Sequence, residues 1–120
     1  MRSYKDMHVY ARSYEAAKEI YALTKTLPKE EQYGLTSQMK RAATSIPLNI
    51  AEGYGKQSGT RELLRFLQMA RGSCAEMEVL LSFVKDFGYI KPEEYEAKSK
   101  QYEEIGKMLT GVMKGLEQHG

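Results

Sequence analysis

Apolar residues recur at helical spacing in four segments of the chain, and no segment shows the alternation that is typical of a strand. In the third segment the apolar positions follow intervals of four and three residues without a break. These positions are Leu63, Leu67, Ala70, Cys74, Met77, Leu81 and Val84. Similar patterns predict helices over about residues 9–26, 35–55 and 60–87, and a fourth helix that begins near Pro92.

The breaks between these segments carry residues that end helices. Pro28 follows the first segment, the sequence GKQSG separates the second from the third, and Gly88 follows the third. A glycine in this last position favours a left-handed helix cap. Because the connections are short, the pattern predicts one domain over residues 1–120, an all-α, antiparallel up-down-up-down four-helix bundle.

The third helix carries a second, mostly apolar row beside the first. This row consists of Phe66, Ser73, Leu80, Phe83 and Phe87. A helix that is apolar on two flanks is expected either at the centre of its bundle or in contact with another chain. Tyrosines also fall at helical spacings, at Tyr10, Tyr14, Tyr21, Tyr95 and Tyr102. We interpret them as packing at helix edges rather than as platforms for nucleobases.

The second helix has a polar row where part of a buried surface is expected. Its members are Gln38, Arg41, Ser45, Asn49, Glu52 and Lys56. The row either faces solvent or meets a neighbouring subunit in part, and the second alternative predicts an oligomer interface at Ser45, Asn49 and Glu52. Pro47 lies in the same segment and costs about 3 kcal/mol inside a helix, so packing must offset this cost if the helix continues.

The composition indicates the cellular compartment that we expect for the chain. The single Cys74 excludes an internal disulfide and is interpreted as a buried small hydrophobe in a reducing compartment. No apolar run approaches the roughly 18 residues of a membrane span. The first residues are too charged for a signal peptide. We therefore expect a cytoplasmic protein without a membrane partner.

The net charge of +2 hides an uneven distribution. Residues 35–75 hold 6 basic and 2 acidic side chains, whereas residues 76–120 hold 6 basic and 9 acidic ones. The basic side chains of the middle segment are Lys40, Arg41, Lys56, Arg61, Arg65 and Arg71. They predict a surface that binds the phosphates of RNA or DNA, and the alternative is that they are only solvated.

The sequence offers little for catalysis. His8 and His119 lie near opposite ends of the chain, and no Glu-x-x-His pair or other metal-ligand spacing occurs. Signatures of a serine nucleophile and of a phosphate-binding P-loop are also absent. We expect no catalytic residue, no metal site, no cofactor and no enzymatic activity.

Several short motifs together resemble the family of 23S rRNA intervening-sequence proteins. The family pattern has Tyr-x-x-Thr, a proline, Glu-x-Tyr-x-Leu and Gln-x-x-Arg-Ala, followed by Ser-Ile-x-x-Asn-Ile-Ala-Glu-Gly and Phe-Leu-x-x-Ala-x-Gly-Ser-x-x-Glu. These motifs start here at Tyr21, Pro28, Glu31, Gln38, Ser45 and Phe66. They cover most of the chain, and the fourth helix contributes little to them.

The resemblance implies a four-helix bundle that assembles into a ring-shaped homopentamer, with no established catalytic residue. Some members of the family are encoded within bacterial 23S ribosomal RNA genes. Accessory proteins of diversity-generating retroelements look similar, and they bind a reverse transcriptase and nucleic acid. Two functions follow as expectations, namely an oligomeric adaptor that binds nucleic acid and a scaffold for a partner enzyme such as a reverse transcriptase.

Overall fold

The computed structural model describes residues 3–56 and 59–119. Four helices make up most of these residues: α1 (His8–Thr24), α2 (Leu35–Gly55), α3 (Thr60–Asp86) and α4 (Pro92–His119). Short 3₁₀ turns lie at Tyr4–Asp6 and Lys29–Glu31, and the described ranges contain no strand. The predicted all-α class is confirmed, and so are the helices, whose ends differ from the predicted ones by at most two residues.

Helices that are neighbours in sequence pack side by side, and α4 returns to α1 to close the bundle. This order fits the antiparallel topology that short connections require. The α1–α4 side also carries two ion pairs between the helices, Arg12 with Glu104 and Lys98 with Glu19. The hydrogen bond from Lys98 lowers the pKa of the Glu19 carboxyl.

The core is formed by the apolar rows that the sequence pattern identifies. Ile20, Ile46, Leu67, Leu81 and Leu109 have no exposed surface. Within the residues that the structure describes, no helix is both long enough and apolar enough to cross a membrane.

Helix α2 continues through Pro47 without interruption. The proline itself is buried, and Ile46 and Ile50 on either side of it are completely buried. Burial of two such side chains is worth about 3–6 kcal/mol, which is enough to offset the cost of a proline in a helix interior.

Two connections at one end of the bundle are fixed by local hydrogen bonds. Gly88 has a φ of 80°, and the amide of Tyr89 donates to the carbonyl of Val84, which ends α3 in the predicted left-handed cap. Across from it, the Glu31 carboxylate accepts from the amide of Leu35 and from the hydroxyl of Tyr89. Glu31 thereby joins the N-terminus of α2 to the α3–α4 connection.

Helices α2 and α3 approach each other closely at Gly53. A Cβ atom added at this position would lie 2.8 Å from Leu63 Cδ1 and 3.1 Å from Phe66 Cβ. Both distances are shorter than an ordinary contact. An added methyl group would therefore require the end of the Leu63 side chain to turn away and Phe66 to shift by a few tenths of an ångström.

We expect Gly53→Ala to lower the free energy of unfolding by about 1–3 kcal/mol, because the added methyl group overpacks the α2–α3 contact. The matched control is Gly111→Ala, where nothing lies within 4 Å of the new Cβ. The control should raise the free energy of unfolding by up to about 1 kcal/mol through helix propensity. Urea unfolding at one fixed protein concentration measures both values, and equal stabilisation by the two substitutions would contradict the close approach.

Candidate nucleic-acid interface

Three of the predicted cations lie together where α2 ends and α3 begins. Lys56 Nζ lies 5.0 Å from the centre of the Phe66 ring, and Arg65 Cζ lies 4.7 Å from the same centre. Such cation–π contacts hold a charge over an aromatic face while its donors still reach solvent. Arg61 lies one helical turn before Arg65 and is exposed. We call Lys56, Arg61 and Arg65 the α2–α3 basic cluster.

The cluster holds three cations against two neighbouring carboxylates, Glu52 and Glu62, which leaves one positive charge in excess. Glu62 is its nearest acidic neighbour on α3 and forms an ion pair with Arg65. The N-terminus of α3 adds the positive end of a helix dipole to the same region. Guanidinium groups bind phosphate oxygens in a bidentate manner, so an exposed Arg61 beside Arg65 is suited to a phosphate backbone.

The other three predicted cations lie elsewhere on the protomer. Lys40 turns towards α1, with its Nζ 5.0 Å from the centre of the Tyr21 ring, and Arg71 turns towards α4, where it donates to Thr110 Oγ1 at 3.2 Å. Arg41 is exposed on α2. It lies about 22 Å from Lys56 along the helix axis, given a rise of 1.5 Å per residue. A single protomer therefore brings together only half of the six residues.

The polar row of α2 contributes to contacts inside the protomer. Ser45 Oγ lies 2.7 Å from Ser73 Oγ on α3, and Asn49 Nδ2 donates to the carbonyl and hydroxyl oxygens of Ser45 at 2.8 and 3.0 Å. All three side chains are half-buried in the α2–α3 seam, whereas Glu52 is exposed. The role of Ser45, Asn49 and Glu52 in an oligomer interface stays a prediction. Ser73 was missed as a partner, although its place in the second row of α3 could have indicated it.

An open groove on the α1–α2 side was also missed. Its volume is about 540 Å³. It is lined mainly by aromatic and apolar side chains, including Tyr10, Tyr14, Tyr21, Pro47 and Leu48. We call it the tyrosine groove. Within it, the rings of Tyr10 and Tyr14 are tilted by 32° against each other, with their centres 6.0 Å apart. The regular spacing of the tyrosines was the available signal, but edge packing was the interpretation given to it.

Two groups that could act in catalysis, a thiol and a phenol, lie in the core. Burial raises the pKa of the Cys74 thiol to about 12 and also raises the pKa of the Tyr102 hydroxyl. The Tyr102 hydroxyl is buried without a hydrogen-bond partner among the described residues. Across residues 3–56 and 59–119, no three His, Cys, Asp or Glu side chains are placed to hold a metal ion.

Comparisons with known proteins place the chain among small helical proteins. A family model described as 23S rRNA-intervening sequence protein matches residues 5–111. A crystal structure of a protein of unknown function from the S23 ribosomal protein family of Bacteroides thetaiotaomicron is also similar, with 30% sequence identity and a TM-score of 0.81. That likeness covers 88% of this chain and 95% of the solved one. No curated protein matches the sequence.

Cys74 should be almost inert towards thiol reagents in the native protein. With a pKa of about 12, its thiolate fraction at pH 8 is about a thousandfold smaller than that of an ordinary cysteine. We expect one slow reaction with a chromogenic disulfide reagent in buffer and a fast one in denaturant. The exposed neighbour supplies a control, because an Ala75→Cys variant should react with one additional, fast equivalent. Equally fast reaction of the unmodified protein would contradict the buried thiol.

Proposed function

The chain belongs to the 23S rRNA-intervening sequence protein family, and we propose that it is a non-enzymatic homo-oligomeric adaptor, a pentamer, that binds nucleic acid. The observation that carries the proposal is the α2–α3 basic cluster. Two of its three cations, Lys56 and Arg65, lie over the same Phe66 ring although they come from different helices.

Assembly would make this cluster effective. Contacts with phosphates release counterions, and three contacts from one protomer give only weak binding. Several copies on one particle would present the cluster repeatedly to the same strand, and the affinity gained from linked contacts is large when the spacing allows simultaneous binding. The proposal therefore joins two properties, a modest basic surface and the self-association that repeats it.

Exposed apolar side chains support self-association. Leu48 on α2 and Met69, Val79, Phe83 and Phe87 on α3 are all about half exposed. Val79, Phe83 and Phe87 follow one another at intervals of four residues, and contiguous exposed apolar surface of this kind marks interaction sites. Glu52 has no ion-pair partner among the described residues, so its carboxylate is available for a contact with another copy.

The second candidate function is a scaffold that holds a partner enzyme, such as a reverse transcriptase, and does not touch nucleic acid. The tyrosine groove favours it, because concave, aromatic-lined surfaces are typical sites of recognition. The low net charge of +2 agrees with a scaffold as well.

Charge reversal in the basic cluster distinguishes the two functions. We expect Arg61→Glu combined with Arg65→Glu to weaken binding of a generic RNA or DNA duplex at least tenfold, and to reduce the dependence of affinity on salt, because two phosphate contacts per protomer are lost. Fluorescence anisotropy titrations at several salt concentrations measure both quantities.

The matched control is Lys91→Glu combined with Lys100→Glu, which changes the net charge equally at exposed positions far from the cluster. It should bind nearly as well as the wild type. The same affinity for all three proteins, or no binding by any of them, would refute the adaptor proposal and favour the scaffold.

The interface residues of α2 are tested through the mass of the assembly. We expect Glu52→Leu and Asn49→Leu to change the oligomer mass that light scattering measures for the wild type. Glu52→Leu is the more informative variant, because Asn49 also forms hydrogen bonds inside its own protomer. Glu117→Leu removes an exposed glutamate from α4 and serves as control. An unchanged mass in both α2 variants would indicate that the polar row faces only solvent and its own chain.

A further inference from the structure

The tyrosine groove combines exposed aromatic rings with a floor of short side chains. Tyr14 and Tyr21 line it two turns apart on α1, and they are 50% and 42% exposed. Ala17 lies between them and is buried, so no large side chain of α1 fills the space that separates the two rings. The groove therefore presents aromatic surface to solvent along about 10 Å of α1.

Three cations surround the Tyr21 end of the groove. Lys40 on α2 has its Nζ 5.0 Å from the centre of the Tyr21 ring. Arg41 is exposed two turns before Leu48 and so lies on the same side of α2 as this groove residue. Lys25 is exposed at the end of α1, one turn after Tyr21. We call Lys25, Lys40 and Arg41 the groove cations, and none of them forms an ion pair within the described residues.

The charge at the Tyr14 end of the groove is already balanced. Lys18 lines the groove, with its Nζ 5.8 Å from the centre of the Tyr14 ring, but it forms an ion pair with Glu15 at 3.3 Å. The unpaired positive charge therefore lies at the Tyr21 end, and an anionic group of a ligand would bind there.

Exposed aromatic rings beside unpaired cations have the chemistry that binds single-stranded nucleic acid. Unpaired bases stack on aromatic side chains, and neighbouring cations contact the phosphates of the same strand. A duplex hides the faces of its bases in its own stack, so only a single strand can use both kinds of group. The ammonium of Lys40 sits on a flexible four-carbon stem, so it can move from the Tyr21 ring to a phosphate when a base covers the ring.

We propose that the tyrosine groove binds a single-stranded segment of nucleic acid, whose bases stack on Tyr14 and Tyr21 and whose phosphates contact the groove cations. This inference rests on the nucleic-acid binding in the proposed function and adds a second site to it. The α2–α3 basic cluster contacts phosphates alone, whereas the groove distinguishes a single strand from a duplex. A protein partner is the competing occupant, and the unpaired cations favour a polyanion over it.

Removal of the two rings tests the site. The probe is a fluorescently labelled RNA oligonucleotide of A and C only, which cannot pair with itself, and the comparison is the duplex that it forms with its complement. We expect Tyr14→Ala combined with Tyr21→Ala to weaken binding of the single strand at least tenfold, because two stacking contacts are lost. Binding of the duplex should change less than about twofold, because the basic cluster is intact. Fluorescence anisotropy at one fixed salt concentration measures both affinities.

Two controls separate stacking from other effects. Tyr14→Phe combined with Tyr21→Phe keeps both rings and should bind the single strand as the wild type does. Tyr33→Ala removes a tyrosine that is 90% exposed and does not line the groove, and it should also leave the affinity unchanged. Circular dichroism and light scattering verify that each variant keeps the fold and the mass of the wild type.

The groove cations are tested separately from the rings. Lys40→Gln combined with Arg41→Gln keeps the aromatic surface and removes two positive charges. It should reduce the dependence of single-strand affinity on salt concentration, because fewer counterions are released on binding. The alanine pair should leave that dependence unchanged, since stacking releases no counterions.

Three outcomes would overturn the inference. Unchanged single-strand affinity in the alanine pair would leave the groove to a protein partner, while the proposed function would stand on the basic cluster. An equal loss of affinity for the single strand and the duplex would mean that the rings do not contact unpaired bases. A wild type that binds neither form of the RNA would refute the nucleic-acid binding of the proposed function itself, and the wild-type titration distinguishes that failure from the other two.

Discussion

The basic cluster of this protein depends on the close approach of α2 and α3 at Gly53. Because residue 53 has no side chain, Leu63 and Phe66 pack directly against the end of α2. The Phe66 ring then lies within reach of Lys56 from one helix and Arg65 from the other. A side chain at this position would displace Leu63 and Phe66, and so would shift the ring over which the two cations lie. The charge cluster is thus a consequence of core packing, not of local charge density alone.

The two flanks of α2 contact different helices. This explains why the segment from Gln38 to Gly53 combines polar residues, a proline and small residues. On the flank towards α3, the Ser45 hydroxyl forms a half-buried hydrogen bond with the Ser73 hydroxyl, and Asn49 donates to Ser45 from the next turn of α2. A directional hydrogen bond between two helices fixes their register in a way that apolar contacts do not. The flank towards α1 is built from Thr44, Pro47 and Ala51, which are too short to cover the tyrosines of α1. Helix continuity through Pro47 keeps both flanks aligned over the full length of the seam.

Periodicity predicted the helices, the core rows and the cap at Gly88, because each depends on residues that are near in sequence. It does not determine features that depend on the neighbouring helix. Lys40 and Arg41 are adjacent in sequence, yet one turns over the Tyr21 ring and the other stays at the surface, because only one of them faces α1. The second row of α3 was predicted to be buried or shared, and it divides: Phe66 and Leu80 are buried, whereas Phe83 and Phe87 are about half exposed. Spacing identifies a side of a helix, but not how far the adjacent helix covers it.

The basic cluster has only three cations per protomer, and this small number links the two proposed properties, nucleic-acid binding and assembly. If all three cations of the basic cluster contact phosphates on duplex DNA, the logarithm of the affinity changes with the logarithm of the salt concentration by a slope of only about −2.7 per protomer. Such binding is weak at physiological salt, and a monomer with a net charge of +2 has little long-range attraction to add. Repetition of the cluster on an assembled particle multiplies the slope by the number of copies in contact with the strand. Nucleic-acid binding by this chain is therefore physically reasonable only together with assembly, whereas assembly through its apolar surfaces needs no nucleic acid.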